Sequence, residues 1–154
     1  MSDEKVLTKK IAEQYLAGEG YVSLGKFTAI EDEAAESLSK HKGDWLNLEG
    51  LTSLSDTAAK SLSRHKGELS LNGLTSLSDA AADSLSKHKG ELSLNGLTSL
   101  SDAAAESFGK HKGKLELRGL TNLSNAAAKS LSKHEGDLWL SLGKIPESAA
   151  AILR

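Results

Sequence analysis

The stretch LSLNGLTSLSDAAADSLSKHKGE, Leu69–Glu91, is followed almost verbatim by LSLNGLTSLSDAAAESFGKHKGK, Leu92–Lys114. Leu115–Asp137 is a looser third copy. Self-similarity at a fixed period decides architecture before local propensity does. The period reads from the histidines: His65, His88, His111 and His134 lie 23 residues apart, and His41 precedes His65 by 24. The additional residue falls around Asp44-Trp45-Leu46, where a bulge or a rim tryptophan is expected.

Within Leu69–Glu91, Leu69-Ser70-Leu71 alternates apolar and polar side chains, the pattern of a strand with one buried face. Gly73 follows and recurs as Gly50, Gly96 and Gly119, marking a bend or close approach that a Cβ would resist. Leu74 and Leu77 are expected to turn back into the core. Ser78 reads as a helix N-cap, with Asp79 in the first turn complementing the positive helix end. Ala81, Leu85 and His88 share one helical face at spacings of four and three. Gly90 is expected to close the helix, with Lys87 and Lys89 near its negative end.

One such unit cannot bury its apolar face, whereas stacked copies can. The spacing predicts an α/β fold with a parallel β-sheet on one face and short α-helices on the other. Alanines (Ala58, Ala59; Ala80 to Ala82; Ala103 to Ala105; Ala126 to Ala128) are expected to let the two layers approach. An all-helical stack fits the LxL alternation and the glycine columns poorly. At these residues the chain resembles a leucine-rich repeat protein of the short bacterial 23-residue type, in its LxLxxLxxL spacing, its TSL segment and its period. The resemblance spans nearly the whole chain. It implies a right-handed leucine-rich repeat solenoid whose strand side is a protein-binding surface. The polar position after each strand reads Glu49, Asn72, Asn95, Arg118, a variation expected at a solvent-facing site rather than in an inward asparagine ladder.

At 154 residues a single domain, 1–154, is the natural reading. Residues 1–20 align with the helical half of the repeat, with Thr8 in the N-cap column, and read as an N-terminal cap helix. Repeats fill 21–137, beginning with Val22-Ser23-Leu24 as the first of six expected strands. Residues 138–154 supply a last strand of ambiguous register, pairing through Leu138 and Leu140 or through Leu140 and Leu142, then a C-terminal cap helix opened by Pro146. Phe108 beside Gly109, where neighbouring repeats carry leucine and serine, suggests local volume compensation.

Two sets of columns are candidates for function. The strand-side surface offers Trp45, Lys114, Glu116, Arg118 and Trp139 as anchors for another protein. The histidines (His41, His65, His88, His111, His134) form a regular column, expected to be a structural ladder whose ring nitrogens bond turn carbonyls. A metal array is not expected, because each repeat offers one histidine among lysines and the chain has no cysteine. Regular threonine and serine rows are expected to make side-chain-to-turn hydrogen bonds rather than to order ice.

Net charge is -2 with a pI near 6.2, which does not point to nucleic acid. No long apolar run follows the first residues, so neither a secretory signal nor a membrane span is expected, and the default location is cytoplasmic. Phosphate loops, HExxH, nucleophile elbows and zinc motifs are absent from the sequence, and near-identical repeats do not build one preorganised pocket. The expectation is therefore a non-enzymatic protein–protein interaction scaffold without cofactors. Its partner would be an unidentified protein, with a structural or self-assembling module as the alternative.

Overall fold

The computed structural model describes residues 5–20, 22–43 and 45–154. At the N-terminal end, β1 (Val6–Leu7) leads into α1 (Lys9–Ala17), and β2 (Ala29–Ile30) leads into α2 (Asp32–Leu38). From there strand and helix alternate: β3 (Trp45–Asn47), α3 (Asp56–Leu62), β4 (Glu68–Ser70), α4 (Asp79–Ser86), β5 (Leu92–Ser93), α5 (Asp102–Gly109), β6 (Leu115–Leu117), α6 (Asn125–Leu131) and β7 (Leu138–Leu140). The C-terminal α7 (Glu147–Leu153) closes the chain. Strands β3 to β7 form one sheet in chain order, every pair parallel. Each helix packs on the helices before and after it. The result is a mixed α/β, repeat-like arrangement with a five-stranded parallel sheet and, among the described residues, seven α-helices.

The leucines explain why the layers hold together. Register pairs Leu46, Leu69, Leu92, Leu115 and Leu138 across the sheet in one unbroken row. Leu69, Leu71 and Leu74, with their equivalents in the next two repeats, are fully buried. Alanines on the inner helix faces, such as Ala81 and Ala82, are equally covered. Full burial of one leucine side chain is worth about 1.5–3 kcal/mol, so the repeating row supplies most of the cohesion. The glycine column explains the closeness of adjacent repeats. A Cβ on Gly73, Gly96 or Gly119 would overlap the backbone carbonyl oxygen of Glu49, Asn72 or Asn95 in the preceding repeat.

Helix starts are interlocked between repeats. Ser55, Ser78, Ser101 and Ser124 each accept a hydrogen bond from the backbone N–H three residues on, at 3.0 Å. The same hydroxyls donate to Asp32, Asp56, Asp79 and Asp102, the first helical residue of the preceding repeat, at 2.5 to 2.6 Å. The next residue in that aspartate column is Asn125, and the next helix opens on Pro146, which has no hydroxyl to donate. The acid is missing where its donor is missing.

Several expectations are corrected. Val22-Ser23-Leu24 is not a strand: Leu24–Lys26 makes a 3-10 turn, because Gly25 interrupts the alternation after two apolar residues. Leu24 and Phe27 still point into the core. Pairing at this end moves to Ala29–Ile30, which meets Val6–Leu7, a strand ahead of the expected cap helix. No bulge occurs at Trp45, since Trp45↔Glu68, Leu46↔Leu69 and Asn47↔Ser70 pair without a break. The additional residue therefore falls in the turn before β3; Asp44, part of that expectation, lies outside the described residues. Gly90 does not close α4, which ends at Ser86 with Lys87 as its cap. Gly18 alone among these helix ends is a left-handed cap, at φ 71°. The ambiguity in the last strand resolves in favour of Leu138 and Leu140, opposite Leu115 and Leu117.

Candidate functional site

The outer face of the sheet is a grid whose rows are set by register. One row runs Trp45, Glu68, Glu91, Lys114; the next runs Asn47, Ser70, Ser93, Glu116, Trp139. Beyond the strand ends lie Glu49, Asn72, Asn95 and Arg118. The middle of this face is closed by hydrogen bonds between its own side chains. Asn72 donates its amide to Glu49 at 3.2 Å and to the Ser70 hydroxyl at 3.2 Å. Ser93 donates to Asn72 Oδ1 at 2.7 Å. Ser70 and Ser93 are consequently buried, although they alternate with the inward leucines.

The asparagines lie on this outer face, half-buried, and are bonded from repeat to repeat. Asn72 Oδ1 accepts the backbone N–H of Asn95 at 2.8 Å, and Asn95 Oδ1 accepts that of Arg118 at 2.9 Å. These two repeats thus carry a short asparagine ladder, bonding side chain to backbone from one copy to the next. Its signal in the sequence was the pair of asparagines one period apart. The variation at the flanking repeats, Glu49 and Arg118, concealed it.

Of the five strand-side candidates, four come together. Trp139 lies opposite Glu116, with Lys114 Nζ 3.8 Å and Arg118 Cζ 4.1 Å from its ring centroid. A cation against an indole face is attracted by the ring quadrupole, by about 0.5–1 kcal/mol at exposed sites. Each cation is also oriented by an acid: Lys114 lies 3.1 Å from Glu91, and Arg118 lies 3.5 Å from Glu116. The indole remains 40% exposed, so this is a rigid aromatic ledge facing solvent. Trp45 does not join it. It stands on β3 at the other edge of the sheet, 51% exposed, beside a hollow lined by Val22 and Leu24. Four strand spacings of about 4.8 Å put the two edges roughly 19 Å apart.

The half of the face between them is acidic. Partial burial and repulsion from Glu91, Glu116 and Glu49 raise the Glu68 carboxyl above its ordinary range, while Lys114 acts the other way. The face is therefore polarised, with glutamates towards Trp45 and two cations around Trp139. Sequence reading missed this polarity because the glutamates come from three separate copies.

The histidines form a second feature, at the turn after each helix. From Tyr15 to His134 the rings follow one another with centroids 5.3, 5.5, 6.2, 6.5 and 5.6 Å apart. The last three pairs are within 11° of parallel. His65, His88 and His111 are buried. His111 and His134 place Nε2 at 3.0 and 2.7 Å from the carbonyl oxygens of Gly90 and Gly113, so that nitrogen carries the proton and donates. His65 has no hydrogen-bond partner at either ring nitrogen. Burial, with weaker repulsion from neighbouring imidazoles, holds His65 below its ordinary pKa. His88 is lowered by burial, and His111 falls to about 4, again chiefly by burial.

Among the described residues no group of three or more histidine or acidic side chains converges as a metal site, and no helix is long and apolar enough to cross a membrane. Compared with known proteins, the chain matches no family model, no curated protein and no solved structure.

Proposed function

We propose that the chain is a leucine-rich repeat solenoid that acts as a non-catalytic protein–protein interaction scaffold, engaging its partner through the outer face of the sheet. The 23-residue period, the parallel sheet in chain order and the LxLxxLxxL columns support the architecture. One observation carries the functional reading: Trp139, held between Lys114 and Arg118, is an exposed aromatic on a rigid strand rather than on a loop. Tryptophan and arginine are the residues that most often dominate binding energy, and an indole already fixed by two cations loses little freedom on docking.

The test is capture from a lysate by the wild-type protein, followed by identification and purification of the captured protein. A true partner binds wild type at least about thirtyfold more tightly than Trp139→Ala, the ratio for a hot spot of about 2 kcal/mol. Equal binding by a folded Trp139→Ala variant refutes the reading. Self-association is the second reading, favoured by the polarity of the face. Two copies related by a twofold axis along the strands would set Glu68 of one against Lys114 of the other. A molecular mass that rises with concentration, and that Lys114→Glu abolishes, would select it.

A further inference from the structure

The edge of the molecule where the helices end carries a feature that the sheet face does not explain. Four clefts follow one another there, floored in turn by His41, His65, His88 and His111, with volumes of about 470, 440, 410 and 250 Å³. Their walls are shared. Arg64 and Lys66 belong to the first and second, Lys87 and Lys89 to the second and third, Lys110 and Lys112 to the third and fourth. Each histidine in this run is flanked in sequence by a cation on both sides. The pattern stops at the final repeat, where Glu135 follows His134 and lines the last cleft.

A helix end needs only a neighbouring cation or two to complement its dipole, and the effect fades within one turn. Two rows of cations at the repeat spacing exceed that need. Little neutralises them: the pairs Lys87–Asp83 at 3.4 Å and Lys110–Glu106 at 4.0 Å are exposed and weak. Arg64, Lys66, Lys89 and Lys112 make no ion pair among the described residues. At the floor of the second cleft both nitrogens of His65 are buried without a partner, although the residue is only 1% exposed.

We infer that this row of clefts is a docking track for an extended acidic polypeptide segment, whose alternate side chains place one carboxylate in each cleft. The spacing of the last three clefts suits such a chain, and the first step is shorter. Successive imidazole centroids along the four clefts are 5.5, 6.2 and 6.5 Å apart. An extended strand advances about 6.4–6.8 Å for every two residues, with those two side chains on the same side. Single-stranded nucleic acid fits less well, because it needs aromatic platforms for its bases and no tryptophan or phenylalanine lines any of the clefts. A membrane surface fits less well too. It cannot enter clefts, and none of the exposed large hydrophobic side chains lines them.

The experiment measures fluorescence anisotropy of the full chain with a labelled peptide of alternating glutamate and serine, about twelve residues long, at low salt. Binding is expected, and weakens at least tenfold when salt rises from about 50 to 300 mM as screening shortens. A peptide of equal length and charge, with its glutamates in one contiguous block, binds several-fold more weakly. Lys66→Glu with Lys89→Glu lowers affinity at least tenfold. Lys5→Glu with Lys144→Glu, the same change in net charge away from the clefts, stays within twofold of wild type. Thermal melts accompany each variant, so a loss of folding is recognised; in that event Lys66→Gln with Lys89→Gln takes the place of the reversal. No binding to the alternating peptide, equal affinity for the block peptide, or tighter binding of a single-stranded oligonucleotide or an anionic vesicle overturns the inference.

Discussion

Lowering the pH from 7.5 to 4.5 should remove about 2.5 kcal/mol of stability through His111 alone. In the folded chain its imidazole titrates at about 4, chiefly because it is buried, with repulsion from His134 and His88 adding to this and the hydrogen bond to the Gly90 carbonyl opposing it. In the unfolded chain it titrates near 6.5. The folded value is depressed for a base, so the stabilisation is complete above pH 6.5. It is lost as the pH falls, because the unfolded state takes up the proton first, and the loss levels off below about 4. Of the charged side chains lining the cleft at the ring, Lys110, Lys112 and Lys133 add positive charge and Glu135 opposes them. His65 and His88 shift in the same direction and steepen the effect.

For a chain of this size about 2.5 kcal/mol corresponds to roughly 5–10 °C in melting temperature. The assay is thermal melting by circular dichroism across that pH range, for wild type and for His111→Gln. The variant is less stable at pH 7.5, but its slope is shallower, so the two curves converge towards pH 4.5. The difference between them cancels carboxylate titrations common to both. An NMR titration of the wild-type imidazoles gives an independent reading, with His111 titrating below pH 5. Parallel melting curves, or a His111 midpoint near 6.5, would refute the reasoning.

Three further outcomes follow from packing. Gly96→Ala should destabilise by about 1–3 kcal/mol, as overpacking does, because its Cβ meets the Asn72 carbonyl oxygen; chemical denaturation measures it. Ser101→Ala should cost about 1–2 kcal/mol, since it removes the cap of α5 and the partner of Asp79 together; Ser124→Ala is the matching control one repeat on. Phe108→Leu should cost less than about 1.5 kcal/mol, whereas Gly109→Ser should cost more, and combining the two should not rescue it. That last outcome separates steric contact with the next helix from volume compensation within one.

The reason lies in where Gly109 sits. A Cβ there would overlap the backbone carbonyl of Ser130 in α6, so the glycine answers to the neighbouring helix rather than to the phenylalanine beside it. This is the general limit on what could be read from the chain. Period, leucine columns and serine caps were legible because each is a local pattern repeated. The place of Trp139 against Glu116 depended on choosing between two leucine registers, which only pairing with β6 decides. Lys114 and Arg118 could be named as candidates, but not as the two cations over one indole. At the N-terminal end, Val22-Ser23-Leu24 resembled the repeat strands closely enough to mislead. The competing partner, Val6–Leu7, was hidden in a stretch read as the lead-in to a helix. The asparagine ladder was missed because only Asn72 and Asn95 carry it.

The shared serine–aspartate caps also set a rule for how the chain can change length. Each hydroxyl serves its own helix and the helix before it, so the contact is defined by column and not by copy. Removing Leu92–Lys114 as a block would leave Asp79 facing Ser124, the same chemistry with one storey fewer. A deletion of half a repeat would leave a buried leucine facing water and a carboxylate facing no hydroxyl. The molecule is thus divisible by whole storeys, and Asn125 marks the storey on which no further one of that kind is built.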